Sequence, residues 1–350
     1  MKLTVIKAGM FTTVQDLGRW GYQSSGVPVA GAMDLTALRL GNIMVGNEPG
    51  AAAIEATFMG PELAVSGGGI AVFAGAELGF SVNGNEAGSW TVVELRDGDV
   101  ISFKGPKSGC RGYLCAAGGV DVPLVMGSRS TYTRAKIGGF EGRALKAGDV
   151  LNIFDADDKA LPRAGFSLPA EMRPDYSPAG ALEIITGLQE DAFTESGLET
   201  LFSSEYTITN ESDRMGCRFD GPKVEHSAPA DIVSDAIPLG AVQIPGHGRP
   251  IAMLADRQTT GGYTKVGVLS QSSIARLVQL APGSKVRFKR ISVEEATVGL
   301  AAARVREAAL SKLVAEWRAR PKVFSAKPLS NHMRITVNDK TYDVICEEII

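Results

Sequence analysis

The chain has little of what announces the commonest chemistries. It holds four cysteines, Cys110, Cys115, Cys217 and Cys346, and no Cys-x-x-Cys, which removes ribbon-type zinc sites and thioredoxin-like redox pairs. Cys110 and Cys115 share the strand-like stretch "CRGYLC", so buried reduced thiols are expected. The three histidines, His226, His247 and His332, are too scattered for a His-based zinc site, and no metal site is expected. Walker A, GxGxxG, GxSxG and HExxH patterns are absent, so phosphate-loop, dinucleotide, serine-hydrolase and zinc-protease readings lack support. No apolar run approaches the roughly 20 residues that span a bilayer. The opening "MKLTVIKAGMFTTVQD" reads as strand and turn and lacks the apolar core and cleavage site of a signal peptide. Neither sign of charge dominates: 36 Lys and Arg face 39 Asp and Glu, a net charge of −3. A global attraction to nucleic acid or anionic membranes is therefore not expected. A cytoplasmic protein is expected.

Glycine and short apolar runs are what the chain does have. With 350 residues, 44% of them hydrophobic and 41 of them glycine, it is long enough for two domains. Runs such as "IAVFAGAELGFSVNG" and "WTVVELRDGDVISF" alternate and end in the turn pairs Asn83-Gly84 and Asp97-Gly98, so the chain reads as mainly β. "LRDGDVISF" (95–103), "LKAGDVLNI" (145–153) and "LAPGSKVRF" (280–288) share one pattern, a glycine turn followed by a half-buried strand. "FMGPEL" from Phe58 and "FDGPKV" from Phe219 form a second pair, which suggests two related halves. The expected division is a β domain over 1–160, a Pro-rich linker over 161–180, a second β domain with a terminal helix over 181–320, and a tail over 321–350. Helices are few. One starts at the N-cap Asp34 and stops at Gly46; a second lies in "QEDAFTESGLETLFSS". The longest opens with a capping box, Ser292 and Glu295, and ends before Pro321. Its Val298, Val305, Leu313 and Trp317 suggest one buried stripe, packed on the outside of the second domain. The tail "MRITVNDKTYDV" alternates and turns at Asn338-Asp339, as a hairpin does.

Four stretches carry candidate chemistry. "QDLGRWGYQSSGVPVAGAMD" sets Asp16, Arg19 and Gln23 among glycines that expose backbone N–H groups to a ligand; an irregular connection with a local Asp16–Arg19 ion pair explains it equally. "NESDRMGCRFDGP" offers Arg214 either as a bidentate clamp on a carboxylate or phosphate, or as part of a solvated turn. In "GAVQIPGHGRPIAMLADRQTTGGYTK", Gln243 sits in an alternating strand. Asp256, Gln258, Thr259 and Thr260 emerge after the apolar "IAMLA", followed by Tyr263 and Lys265. A strand end of this kind either builds a site or turns a glycine-rich hairpin. As a site it gives Asp256 as base, Lys265 as electrostatic partner and loop N–H groups for an oxyanion. "MGSRSTYTRAKIGGFEGR", with Arg129, Arg134, Lys136 and Arg143, is either an anion-binding or a solvated loop.

Five stretches in this order, "DLGRWGYQSSGVPVAGAMD", "AAGGVDVPLVMGSRST", "SDRMGCRFDG", "GAVQIPGHGRPI" and "DRQTTGGYTKVG", resemble the family called allophanate hydrolase subunit 2, or carboxyltransferase subdomains C and D. It includes the C subunit of bacterial ATP-dependent 5-oxoprolinase, the Kip-type antagonist and half of the urea carboxylase carboxyltransferase domain. The resemblance covers about residues 1 to 290. It implies two cyclophilin-like β-barrel domains, with the few short helices and the long C-terminal helix added to them. It also implies a subunit-1-type (Kip inhibitor-like) partner that completes a composite site for amide or urea-like substrates. The resemblance carries over to Asp16, Arg19, Gln23, Arg214, Gln243, Asp256, Gln258, Thr259, Thr260, Tyr263 and Lys265; of these, Asp256, Lys265 and Arg214 are expected to serve catalysis and the others substrate binding. Polar loops from both halves are expected to meet in one anion-friendly pocket, with Asp256 and Lys265 partly exposed in it.

Three functions follow from the resemblance. The first is a subunit of an ATP-dependent 5-oxoprolinase, which opens a lactam with ATP in the complex and a LamB/YcsF-type subunit beside it. The second is half of a biotin-dependent carboxyltransferase, with biotin on a carrier protein. The third is a non-enzymatic partner that sequesters a Kip-type kinase inhibitor. The tail resembles the opening strands of a biotin carrier domain but lacks the biotin-accepting Met-Lys-Met.

Overall fold

The computed structural model describes residues 1–156, 163–187, 189–320, 332–338 and 340–345. The chain is mostly strand. In the first half, a seven-stranded sheet runs in the order Val120–Asp121, Val150–Ile153, Lys2–Lys7, Glu62–Ser66, Val100–Phe103, Phe80–Val82 and Asn85–Glu86. A five-stranded sheet runs Phe11–Gln15, Ala53–Thr57, Ser108–Ala116, Gly69–Glu77 and Val92–Leu95. Alternate residues of both sheets, among them Leu3, Val5, Leu63, Ile54, Phe73 and Leu114, share one buried cluster. Such sharing is what the period of two in a pleated strand produces when two sheets face each other. The second half closes as a seven-stranded barrel: Leu182–Thr186, Lys265–Leu269, Ala241–Gln243, Ile251–Met253, Gly216–Asp220, Glu205–Ile208 and Lys285–Ile291. Its first and last strands pair in parallel and complete the ring.

The repeated turn-strand pattern has a common geometry. Gly98, Gly148 and Gly283 adopt φ of 86°, 91° and 87°, a region that a side chain disfavours. Each leads within two residues into the strands Val100–Phe103, Val150–Ile153 and Lys285–Ile291.

Among the described residues four α-helices flank the sheets: α1 (Leu35–Val45), α2 (Glu195–Ser203), α3 (Gln271–Leu277) and α4 (Val293–Arg318). Asp34 caps α1 by accepting from the Ala37 N–H, and Gly46 ends it at φ 81°. Ser292 and Glu295 form the expected capping box on α4. α3, capped by Ser270, was not anticipated; seven residues leave too short a periodic trace. No helix among the described residues is long and apolar enough to cross a membrane.

The expected packing of α4 requires correction. Val298 and Val305 are each 69% exposed. The buried residues of α4 are Leu310 and Val314, which join α1 and the first half's five-stranded sheet in one cluster. Leu310 follows Val298 by twelve residues, which rotates it about 120° away at 100° per residue. The helix therefore leaves the barrel and clasps the first half. The Trp317 ring meets Phe166 edge-on at 5.8 Å, and Arg39 of α1 donates to both carboxylate oxygens of Glu307 at 2.7 and 2.6 Å.

Residues 332–337 and 340–345 pair as the expected hairpin. Cys110, Cys115 and Cys217 are buried free thiols. Burial pushes Cys110 and Cys217 each up to about 11, so they are poor nucleophiles. Cys346 lies outside the described residues.

Candidate functional site

Hydrogen bonds and ion pairs gather most of the expected residues into three neighbouring polar groups. The first holds Asp16 and Arg19. Asp16 Oδ1 accepts from the Gly18 N–H at 2.8 Å and from the hydroxyls of Ser128 and Ser130, and Oδ2 accepts from the Arg129 N–H at 2.6 Å. Arg19 is fully buried; Nε donates to Val125 O at 3.0 Å and Nη2 to Ser130 O at 2.9 Å. Burial lowers its pKa and the Asp16 charge opposes that shift. These contacts fasten the glycine-rich segment 16–31 to the loop 125–138. Gln23 sits in a one-turn helix, where its side chain accepts from the Gly21 N–H and its carbonyl from the Gly26 N–H.

The second group centres on Arg214, which projects from the loop before the strand Gly216–Asp220. Nε and Nη2 each donate to Asp256 at 3.0 Å. Nη1 pairs with Glu55 of the first half, and Nη2 also reaches Gly31 O at 2.6 Å. Glu55 in turn accepts from Tyr113 Oη at 2.8 Å and the Met33 N–H at 2.9 Å. Burial alone would lower the Arg214 pKa; the charges of Asp256 and Glu55 more than offset it and hold the guanidinium above its ordinary value. Asp256 is 4% exposed, not partly open in a cleft as expected, because both its oxygens are spent on Arg214. This group stitches the two halves together. Gln279 helps: its side chain donates to Asp34 Oδ2 and Arg111 O and accepts from the N–H groups of Cys110 and Arg111.

The third group lies at one end of the barrel. Gln243 and Lys265 are register partners on adjacent strands, and both are buried. Lys265 was also expected to be partly exposed; its side chain is only 1% exposed because a two-stranded ribbon, Asp231–Ala236 paired with Thr260–Tyr263, covers it. Lys265 Nζ stands 3.2 Å from Oδ2 of Asp235 on that ribbon, close enough for an ion pair. That approach is off the direction of a hydrogen bond, and Nζ has no hydrogen-bond partner among the described residues. Gln243 Nε2 is buried without a partner as well. Gly261 pairs across the ribbon from Asp235. A Cβ added to Gly261 would meet Ile237 Cδ1 at 2.6 Å, Gln243 Nε2 at 3.1 Å and Gln258 Nε2 at 3.5 Å, so the Gly261 backbone packs directly against both amides. Asp235 is held below the usual carboxylate range, first by the Ala236 N–H and then by Lys265. Thr259 contributes its carbonyl to the Ile237 N–H. Thr260 and Tyr263 lie exposed on the ribbon.

Sequence reading missed Glu55, Asp235 and Arg257. Glu55 had a signal: a carboxylate inside the apolar run "AAAIEATF" implies a buried partner. Arg257 is buried and, among the described residues, its side chain donates to the carbonyls of Ile237 and Leu254; burial pushes its pKa down to about 10. Asp235 had no signal, since its role depends on which strand the ribbon covers. None of the expected residues lines the cavity of about 630 Å³ where α3 and α4 meet the barrel.

Chemically, the third group gathers N–H donors, of which Lys265 Nζ and Gln243 Nε2 are buried without a hydrogen-bond partner among the described residues. An ammonium and two carboxamides suit the oxygens of a flat amide or a carboxylate. Among the described residues no three His, Cys, Asp or Glu side chains gather as a metal-binding group.

A family profile described as "Carboxyltransferase domain, subdomain A and B" matches residues 25–290. The motifs quoted above point to the same carboxyltransferase domain, named there by its subdomains C and D; the match is to A and B. The 5-oxoprolinase C subunit of Escherichia coli strain K12 is 33% identical over 294 residues, 84% of this chain and 93% of that protein. The 5-oxoprolinase C subunit of Haemophilus influenzae is 35% identical, over 81% of this chain and 89% of that one. Among solved structures, the K. lactis urea amidolyase superposes with a TM-score of 0.79 at 28% identity, over 94% of this chain and 20% of that one.

Proposed function

Because this chain belongs to the carboxyltransferase domain family, we propose that it is a cytoplasmic subunit of an ATP-dependent 5-oxoprolinase-type enzyme. The reading is supported above all by the span of the match to the 5-oxoprolinase C subunit, which takes in 93% of that free-standing protein. A subunit-1-type protein completes the site, and a LamB/YcsF-type subunit belongs to the assembly. ATP, bound elsewhere in the complex, supplies the free energy for opening the lactam.

In this reading Lys265, Gln243 and Gln258 grip the oxygens of a planar cyclic amide and stabilise negative charge that develops there. Preorganised donors in a water-poor site are worth far more than the same donors in water. Thr259, Thr260 and Tyr263 line the approach. Arg214 and Asp256, expected from sequence as catalytic, serve here as positioning residues that fix the 254–258 turn against the first half. Asp16, Arg19 and Gln23 hold the neighbouring glycine segment.

The test is reconstitution with the partner subunits. ATP consumption should require 5-oxoproline and be insensitive to avidin. ATP use that ignores 5-oxoproline would overturn the proposal.

A second reading is half of a biotin-dependent carboxyltransferase, with the same donors on a carboxylate or ureido oxygen. It is favoured by the superposition on urea amidolyase over 94% of the chain and by the tail's likeness to a biotin carrier's first strands. Avidin-sensitive turnover on urea or an amide would select it.

A further inference from the structure

Lys265 and Asp235 are an uneven pair. The ammonium side chain is 1% exposed and its carboxylate partner 54% exposed. Asp235 rides on a ribbon of two strands that joins no larger sheet, an arrangement of marginal stability by itself. Its strand Asp231–Ala236 faces solvent almost throughout, with Val233 92% exposed, and its register slips between Asp231 and Asp235. The ribbon is anchored beside Asp235 by the Ile237 N–H on Thr259 O and by Gln189 Nε2, 3.5 Å from Asp235 Oδ2. Beneath it lie two buried donors without a geometrically formed hydrogen bond among the described residues: Gln243 Nε2, and Lys265 Nζ, whose charge Asp235 alone opposes there. Leaving such groups unpaired is destabilising, more so for a charged one. A fold keeps that conflict where a ligand resolves it.

We propose that Lys265 is a carboxylate subsite and that Asp235 is its internal occupant, displaced when substrate binds. A substrate carboxylate then lies on the Lys265 ammonium, and the amides of Gln243 and Gln258 face the adjoining planar carbonyl across Gly261. This inference rests on the 5-oxoprolinase-type reading and sharpens it: the substrate is an anion, a carboxylate beside a flat amide, and a neutral lactam or urea does not displace Asp235. Asp235 is thus a specificity-determining residue that touches no substrate atom.

Calorimetric titration of the full chain and of Asp235→Asn tests this with 5-oxoproline, propionate and the neutral pyrrolidin-2-one. With the internal competitor gone, both carboxylates should bind roughly tenfold more tightly, as when a closed state no longer taxes binding. Affinity for pyrrolidin-2-one should not change. Carboxylate affinity that is unchanged or weaker in Asp235→Asn overturns the proposal. So does an equal gain for pyrrolidin-2-one, which signals a loosened ribbon, or no detectable heat from either carboxylate with either protein. Asp235→Ser provides an independent variant should Asp235→Asn fold poorly. Tighter propionate binding without 5-oxoproline-dependent ATP use in the assembly keeps the subsite and removes the oxoprolinase reading. Intact ATP coupling without the gain in affinity does the reverse.

Discussion

Arg214 and Lys265 are both buried cations of the second half, and their surroundings are opposites. Arg214 faces two buried carboxylates, Asp256 and Glu55, and a carbonyl, and its fork of donors is filled. Lys265 faces one exposed carboxylate and makes no hydrogen bond through its ammonium among the described residues. The first cation is committed to holding two halves of a protein together. The second has been left with capacity. Burial and charge alone do not separate a structural cation from a functional one; the count of acceptors around each does.

Four substitutions would break or sharpen this contrast. Arg214→Met should have the largest effect, since it strands Glu55 and Asp256 as unpaired buried carboxylates. A loss of about 3–5 kcal/mol is expected, read by urea denaturation, with Asp256→Asn moving in the same direction by less. A small change in midpoint would show that the halves do not depend on this junction. Lys265→Met should change stability little, because the ion pair it removes has a half-exposed partner in Asp235. Its turnover in the reconstituted assembly should fall by about 10²–10³-fold. A large drop in Tm would instead make Lys265 structural. Gly261→Ala, the mildest, places a methyl 2.6 Å from Ile237 Cδ1 and 3.1 Å from Gln243 Nε2. A side-chain shift costing about 1 kcal/mol and a rise in KM of about tenfold are expected; unaltered KM would mean that substrate does not approach those amides.

Local chemistry was legible in the sequence. The helix starts at Asp34 and Ser292, the stop at Gly46 and the three glycine turns are each decided within a few residues, and each stands in the structure. What was not legible depended on long-range pairing. Val298 and Val305 fit a helical stripe as well as Leu310 and Val314 do; only the position of α1 decides which face is covered. Arg19, Arg214 and Lys265 look alike as basic residues among glycines, and only the fold reveals that Arg214 is spent on carboxylates and a carbonyl, whereas Arg19 keeps one buried nitrogen, Nη1, without a hydrogen-bond partner among the described residues. Asp235 was invisible because its partner lies 30 residues away on a different sheet.

The course of α4 has a practical consequence. The strands of the barrel end at Ile291, yet the helix that follows belongs by its packing to the first half. Cutting the gene between the halves, the obvious way to study each alone, would leave the upstream piece with a bared apolar seam on α1. The downstream piece would trail a long helix with Leu310, Val314 and Trp317 uncovered. Each fragment would then be prone to clump, and a faithful dissection would graft 293–318 back onto the upstream piece through a flexible tether.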